Sequence, residues 1–296
     1  MPTLINVCGP SFSGTTLLDL MLGNADDAFS CGEVANWFRP TRAHHRRLDC
    51  PCGANPCPTW ARFQNTPEEQ FHRDVFSRLD VGFVVDSSKR LPWIFDTHRW
   101  ACQQGFRVVN LLVWKTPLSH GFSHWKRGQD VQDARYRYMR YYTRFLALRL
   151  PFVAVNFNRL VEVPAEQLAE VCRVSGATYF RGRERFWERQ HHQLFGNEGT
   201  RQQLGRDDNQ IQAAESYPLE YLAAVREFDR VYGADDELQQ LLNVFAAHDV
   251  AKAPTDLFDE VQVARLLPFW YYEDRVRDVL RKFFPLRSAR IISRAS

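Results

Sequence analysis

The chain has 296 residues, 45% of them hydrophobic and 14% aromatic, enough to bury a full core and too rich in apolar side chains for a disordered protein. Its formal net charge of +3 is too balanced for a nucleic-acid footprint but compatible with local basic pockets that receive an anionic ligand. No apolar run reaches the roughly 18 residues that span a bilayer, and no basic segment with a cleavable apolar stretch opens the chain, so a cytoplasmic protein is expected.

The first element is a strand over Thr3 to Cys8, built on the apolar run Leu4 to Val7. It leads into Gly-Pro-Ser-Phe-Ser-Gly-Thr-Thr at residues 9 to 16, and then into Leu17, Leu18, Leu20, Met21 and Leu22 at helical spacing. A strand, a tight loop and a helix start in that order form a phosphate cradle: backbone N–H groups of Ser13 to Thr16, the positive helix end, and the hydroxyls of Thr15 and Thr16. The spacing of Gly9 and Gly14 is that of a nucleotide P-loop, yet Thr15 stands where a nucleoside-triphosphate enzyme places its lysine.

Three more apolar runs, Gly82 to Val85, Val108 to Val113 and Phe152 to Asn156, read as strands buried on both faces, with helical stretches between them. The expected fold is α/β: three αβα layers around a central parallel sheet, with ligands at the carboxyl ends of the strands. Gly9 to Thr16, Asp86 to Lys89 and Lys115 to Ser123 would all meet there. Asp86, at a strand end, is also where a P-loop kinase would hold Mg²⁺, which keeps an ATP-dependent small-molecule kinase as an alternative.

A polar insertion from Arg39 to Pro67, placed between the first two strands, reads as a loop or small lobe over the pocket. Its Cys50, Cys52 and Cys57, with Cys31, His44 or His45, have the ligand types for a tetrahedral structural zinc, although the spacing is not that of a zinc finger. Disulfide bonding and plain thiols are the competing readings, and zinc is not the favoured one. Helices are expected over Leu219 to Tyr232, Asp236 to His248 and, beyond Pro254, Asp256 to Phe284. The last carries Leu266, Leu267, Phe269, Trp270, Tyr271 and Tyr272 before Arg275, Arg277, Arg281 and Lys282. Packing on the core or on a second subunit is preferred for it over contact with a membrane, and it is placed to wall an acceptor pocket.

Taken together these motifs resemble a family, the sulfotransferases that use 3′-phosphoadenosine-5′-phosphosulfate (PAPS), in their bacterial form with a P-loop-like fold. Ser13-Gly14-Thr15-Thr16-Leu17 resembles the 5′-phosphosulfate loop. Lys115-Thr116-Pro117 with Ser123 eight residues on is similar to the 3′-phosphate motif, usually Arg-Asp-Pro and a later serine. His191-His192 before Gly196-Asn197 and Arg201 is similar to the late loop that closes over the nucleotide. Asp86-Ser87-Ser88-Lys89 and the group Cys50, Cys52, Gly53, Cys57, Pro58 and Trp60 also resemble segments of bacterial members, so the likeness runs from about residue 3 to 245. It implies a sulfotransferase domain over 1–245, carrying the insertion near 39–67, and a helical C-terminal extension over 246–296.

The resemblance implies PAPS as co-substrate and 3′-phosphoadenosine-5′-phosphate (PAP) as product. It also implies no metal requirement, a small-molecule acceptor hydroxyl and no nucleic acid, and it is compatible with a homo-oligomer. Glu33 becomes the base and Lys89 the group that stabilises the leaving phosphate. Glu33 is expected in a pocket otherwise lined by apolar groups, which would raise its proton affinity. Ser11, Phe12, Ser13, Gly14, Thr15 and Thr16 would line the phosphosulfate. Lys115 and Ser123 would hold the 3′-phosphate, and Gly196, Asn197 and Arg201 would close over the nucleotide. His191, His192 and His124 are weaker candidates for the base. Two departures stand out: Phe12 where relatives carry lysine or arginine, and Asn156-Phe157-Asn158-Arg159-Leu160 where they carry Tyr-Glu-Asp-Leu. Phe12 calls for compensation by Lys89 or a basic residue of the insertion; without it, the chain would be a non-catalytic PAP-binding protein.

Overall fold

The computed structural model describes residues 1–48, 50–206, 211, 216–232, 235–259 and 267–283. In chain order the elements are β1 (Thr3–Cys8), α1 (Thr15–Leu22), β2 (Ala28–Gly32), α2 (Ala35–Phe38), α3 (Pro58–Ala61), α4 (Phe71–Leu79), β3 (Phe83–Asp86), α5 (Leu91–Gln103) and β4 (Arg107–Trp114). There follow α6 (Pro117–Trp125), α7 (Val131–Ala147), β5 (Val153–Asn156), α8 (Phe157–Glu162), α9 (Pro164–Ser175), α10 (Glu198–Arg201), α11 (Leu219–Tyr232), α12 (Asp236–Ala247) and α13 (Phe269–Phe283).

The five strands form one parallel sheet in the order β2-β3-β1-β4-β5. Side chains alternate across it, and each face has its own helices. Ile5, Val7, Val85, Val109, Leu111 and Val153 pack with Leu18 and Met21 of α1 and with Leu160, Leu168 and Val171 of α8 and α9. On the other face Leu4, Val84 and Val108 meet Phe71 and Val75 of α4 and Trp93 of α5. Cys8, Leu112 and Ala154, on that same face, meet Ile94, Tyr138, Tyr142 and Phe245. This is the three-layer α/β architecture expected. β1 lies between β3 and β4, so the chain switches sides there and opens a crevice at the carboxyl end of β1.

Three expectations need correction. Ala28-Phe29-Ser30-Cys31-Gly32 is a strand the periodicity did not reveal, because it is short, sits at the sheet edge and carries small residues. The insertion therefore lies between β2 and β3, the second and third strands, and Glu33 stands directly after a strand end. The last helix begins at Phe269, not Asp256: Thr255–Asp259 is turn, and residues 260–266, including Leu266, lie outside the described set, as does Phe284.

The segment beyond residue 245 packs closely. Val250 and Phe258 join the core beneath the sheet, and Asp249 pairs with Ala154 of β5. In α13, the Tyr271 hydroxyl donates to Asp96 Oδ1 at 2.5 Å, Arg275 pairs with Asp96 at 2.6 Å, and Asp274 pairs with Arg144 at 3.0 Å. Among the described residues no helix is long and apolar enough to cross a membrane.

Candidate active site

The loop after β1 takes its shape from two left-handed residues, Phe12 at φ 68° and Gly14 at φ 100°. Gly14 has a second reason to be glycine: a Cβ there would stand 1.9 Å from Cδ2 of Phe157. The loop is held from outside. Tyr141 accepts from the Gly9 N–H at 3.0 Å, and His120 Nε2 lies 3.1 Å from the Ser11 carbonyl. Burial lowers the His120 pKa to about 3, so the ring is neutral and donates to that carbonyl. Helix α1 then starts at Thr15, and its first N–H groups point toward the crevice.

Around this loop opens a cavity of about 830 Å³, within the range that encloses a cofactor. Ser11, Phe12, Gly14, Thr15, Thr16, Glu33, Lys89, Lys115, Ser123, Gly196, Asn197 and Arg201 all line it, drawn from widely separated parts of the chain. Ser13 is the exception. Its side chain is fully buried beneath Gly9, and its hydroxyl has no hydrogen-bond partner among the described residues, so at most its backbone serves the loop. Among the described residues, Arg42, Arg90, Lys126 and Arg127 join Lys89, Lys115 and Arg201 in the wall against Glu33 and Glu198, so these residues concentrate positive potential in the cavity.

At one end of the cavity Lys89 Nζ lies 2.5 Å from Glu33 Oε1, and Asn36 Nδ2 donates to Glu33 Oε2 at 3.0 Å. The apolar surroundings expected for Glu33 are thus absent, and the carboxylate sits among polar partners. Lys89 is aimed by its own loop. Asp86 is buried and accepts from His72 Nε2 at 2.9 Å, Trp93 Nε1 at 2.8 Å and the Ser88 N–H at 2.8 Å, while Ser88 Oγ accepts from the Ala35 N–H at 3.0 Å.

At the other end Lys115 Nζ lies 3.3 Å from Ser123 Oγ and 4.0 Å above the Phe157 ring. Thr116 caps α6 by accepting from the Ser119 N–H at 3.2 Å, with Pro117 at the first helical position, and Ser123 follows two turns along. The departing segment after β5 has its own work. Asn156 caps α8, and Asn158 Oδ1 accepts from the Thr116 N–H at 3.1 Å, which ties that segment to the Lys115 loop.

The late loop reaches the cradle. Leu194 pairs with Gly32, and the Asn197 N–H donates to Thr16 Oγ1 at 2.9 Å. Its histidines do something else: His191 Nε2 bonds the Phe186 carbonyl at 2.9 Å, and His192 faces Cys50 and Cys57. His124 packs edge-on against Phe12 at 4.9 Å and bonds Gln129. None of the three lines the main cavity. The seven cysteines are free thiols in this structure. Of the zinc partners named with the Cys cluster, neither Cys31 nor His44 nor His45 joins it.

Basic side chains stand around Phe12, and Lys89 and the insertion's Arg42 line the same cavity. The guanidinium of Arg127, just past α6, lies 4.1 Å over the Phe12 ring at the cavity wall.

No family model and no curated protein matches this chain. Solved structures do. The sulfotransferase domain from the Synechococcus PCC 7002 olefin synthase superposes with a TM-score of 0.51 at 14% identity, over 79% of this chain and 96% of that one. The sulfotransferase domain from the curacin biosynthetic pathway gives 0.50 at 16% identity, over 77% and 98%. The fold is that of a sulfotransferase domain.

Several residues that build this sulfotransferase fold around the cavity were not legible as site residues. Asp19 on α1 accepts from Ser30 Oγ and Ser87 Oγ, each at 2.9 Å, and from Gln193, so one buried carboxylate ties α1, β2, the Lys89 loop and the late loop together. Burial pushes its pKa up to about 7, against the three hydrogen bonds that favour the charged form. From α7, Tyr138 donates to the Lys115 carbonyl at 2.9 Å and Tyr142 to the Val113 carbonyl at 2.8 Å, and Tyr141 holds Gly9. The i, i+3, i+4 spacing of these tyrosines was the available signal, but it reads equally well as a core stripe.

Proposed function

We propose that this chain transfers a sulfuryl group from PAPS to a hydroxyl of a small-molecule acceptor. The carrying observation is the pairing of two anion sites in one cavity: the Thr15–Thr16 helix start, and the Lys115–Ser123 pair above Phe157. Two basic or helix-start subsites in one cavity support a nucleotide with phosphate groups on both 5′ and 3′ oxygens over ATP. Lys115 keeps the charge but not the bidentate fork of an arginine, and its seat on Phe157 supports a fixed position.

PAPS supplies an activated sulfuryl group on its 5′-phosphate. The Thr15 and Thr16 N–H groups and hydroxyls hold that phosphate, and Arg127 adds charge beside Phe12. Glu33 takes the proton as the acceptor oxygen forms its bond to sulfur. Lys89 meets the negative charge on the bridging oxygen as the bond from sulfur to that oxygen breaks. Because Glu33 and Lys89 touch, both charge changes are handled within one contact.

The kinase reading loses its main support at Asp86, whose carboxylate is buried on three N–H donors and does not line the cavity. A second cavity of about 720 Å³ shares Ser11, Phe12 and Lys89 with the first and carries Arg137, Arg140, Arg144 and Arg277 against Asp133 and Asp274. It supports an acceptor with an anionic group beside its hydroxyl.

Calorimetric titration tests the reading. PAP should bind more tightly than ATP, and Lys115→Ala should weaken PAP by roughly tenfold to a hundredfold, as expected for one charge-assisted contact. Equal affinity for the two nucleotides, or a Lys115→Ala protein that binds PAP as wild type does, refutes it.

A further inference from the structure

We propose that Cys50, Cys52, Cys57 and His192 bind one structural Zn²⁺ ion, which fastens the insertion to the late loop of the cavity. The Sγ atoms of the three cysteines and a ring nitrogen of His192 all lie within 4.8 Å of one another. His192 Nδ1 is 3.5 Å from Cys50 Sγ and 3.3 Å from Cys57 Sγ. With zinc–sulfur bonds near 2.3 Å and zinc–nitrogen bonds near 2.0 Å, the sulfur–nitrogen edge of a tetrahedron is about 3.5 Å and its sulfur–sulfur edge about 3.8 Å. The two sulfur–nitrogen separations already match that edge, and every other pair of the four atoms lies within 4.8 Å.

The local structure serves that convergence. Cys50 and Cys52 sit on a turn closed by the Gly53 N–H on the Cys50 carbonyl at 3.2 Å, with Gly53 at φ 75°. Nothing lies within 4 Å of where a Gly53 Cβ would be, so the glycine serves the backbone turn and not a packing contact. Cys57 stands immediately before α3, and Trp60 of that helix is fully buried and donates its indole N–H to the His192 carbonyl. This fixes the main chain of the fourth ligand, as outer contacts in metal sites do. Trp60 in turn stacks on Phe71 with ring centroids 6.0 Å apart and planes 5° apart, so the site rests on packed aromatic side chains.

The chemistry selects zinc. Three thiolates and one imidazole are a closed structural set for Zn²⁺, with no coordination position left for catalysis. Three thiols lose their protons to solvent on binding, and ion and ligands together carry one negative charge. Without a metal, three thiols and an imidazole would crowd one point with only weak S–H contacts between them. No other group of three or more such ligands converges among the described residues.

The consequence lies two residues along the chain. Leu194 pairs with Gly32, and Asn197 reaches Thr16, so an ion on His192 closes a loop of 135 residues back to Cys57 and anchors the strap that lies over the phosphate cradle.

The experiment is elemental analysis of full-length protein purified under reducing conditions, followed by chelation and cobalt replacement. The expected result is about one zinc per chain and, after exchange, the intense sulfur-to-cobalt absorption of a tetrahedral thiolate site. His192→Cys should keep the metal and intensify that absorption. Cys52→Ser, which changes a half-exposed ligand, should lose it. Chelation should lower Tm by on the order of 5–10 °C and speed hydrogen exchange at the Leu194 N–H, which donates to the Cys31 carbonyl at 3.2 Å. A folded protein that takes up neither zinc nor cobalt, or a disulfide among these three cysteines in the native protein, overturns the proposal. None of these readouts depends on the sulfotransferase reading.

Discussion

Gly32 is where the end of β2, the late loop and Glu33 meet, and replacing it by alanine is a one-carbon test of how the strap is held. Its φ is 67°, a backbone that costs an L-residue about 1 kcal/mol. The new Cβ would stand 2.2 Å from the Leu194 carbonyl oxygen and 2.8 Å from the Leu194 nitrogen, both main-chain atoms that no rotamer change can move aside. Relief requires Leu194 to retreat, which breaks the Glu33 N–H bond to the Leu194 carbonyl at 2.9 Å and the Leu194 N–H bond to Cys31. Two such bonds at about 1 kcal/mol each bring the total to about 3 kcal/mol, or a Tm lowered by roughly 5–10 °C. Gly105→Ala is the control: Gly105 has φ 74° with nothing within 4 Å of its Cβ position, so it carries the backbone cost alone. Differential scanning calorimetry on both variants, with PAP affinity measured in parallel, separates contact from backbone. Gly32→Ala should fall well below Gly105→Ala in Tm and bind PAP more weakly. Equal melting temperatures for the two variants would refute the account of Leu194 as a main-chain clamp.

Glu33→Gln should slow sulfuryl transfer by roughly a hundredfold to ten-thousandfold while leaving the PAP Kd nearly unchanged; a Kd that weakens in step with turnover would show that the carboxylate acts only by holding Lys89. Acid should destabilise the protein. Burial lowers the pKa of His98 and His191 to about 4 and of His120 to about 3, against 6.5 for an ordinary imidazole, so the unfolded chain takes up protons that the folded one refuses. Their contribution is present above pH 6.5 and is lost as pH falls toward 4, at up to about 1.4 kcal/mol per pH unit for each ring. Asp19 runs the other way, since its raised pKa lends stability at low pH that is lost as pH rises through about 7, but one group offsets only one of three. Urea midpoints at pH 7, 6 and 5 should therefore decline steadily, and a level series would contradict the buried, neutral state of these rings.

The sequence by itself determined what depends on near neighbours. The apolar runs of β1, β3, β4 and β5 are legible because a strand buried on both faces needs little besides continuous hydrophobicity. The cradle at Gly9–Thr16 and the Lys115 to Ser123 spacing are legible because a loop before a helix, and two turns of that helix, are local geometry. Tertiary structure decided the rest, because contacts between distant segments leave no period to read. β2 is a strand because β3 pairs with it, not because of its own five residues. Ser13 turns inward because Phe12 and Gly14 adopt left-handed backbones, and Arg127 covers the ring of Phe12 from 115 residues away. His192 reads as part of a nucleotide loop until the fold brings it to three cysteines of an insertion whose spacing names no partner. Ligand types were visible in the chain, but their convergence on one point is a property of the packed molecule.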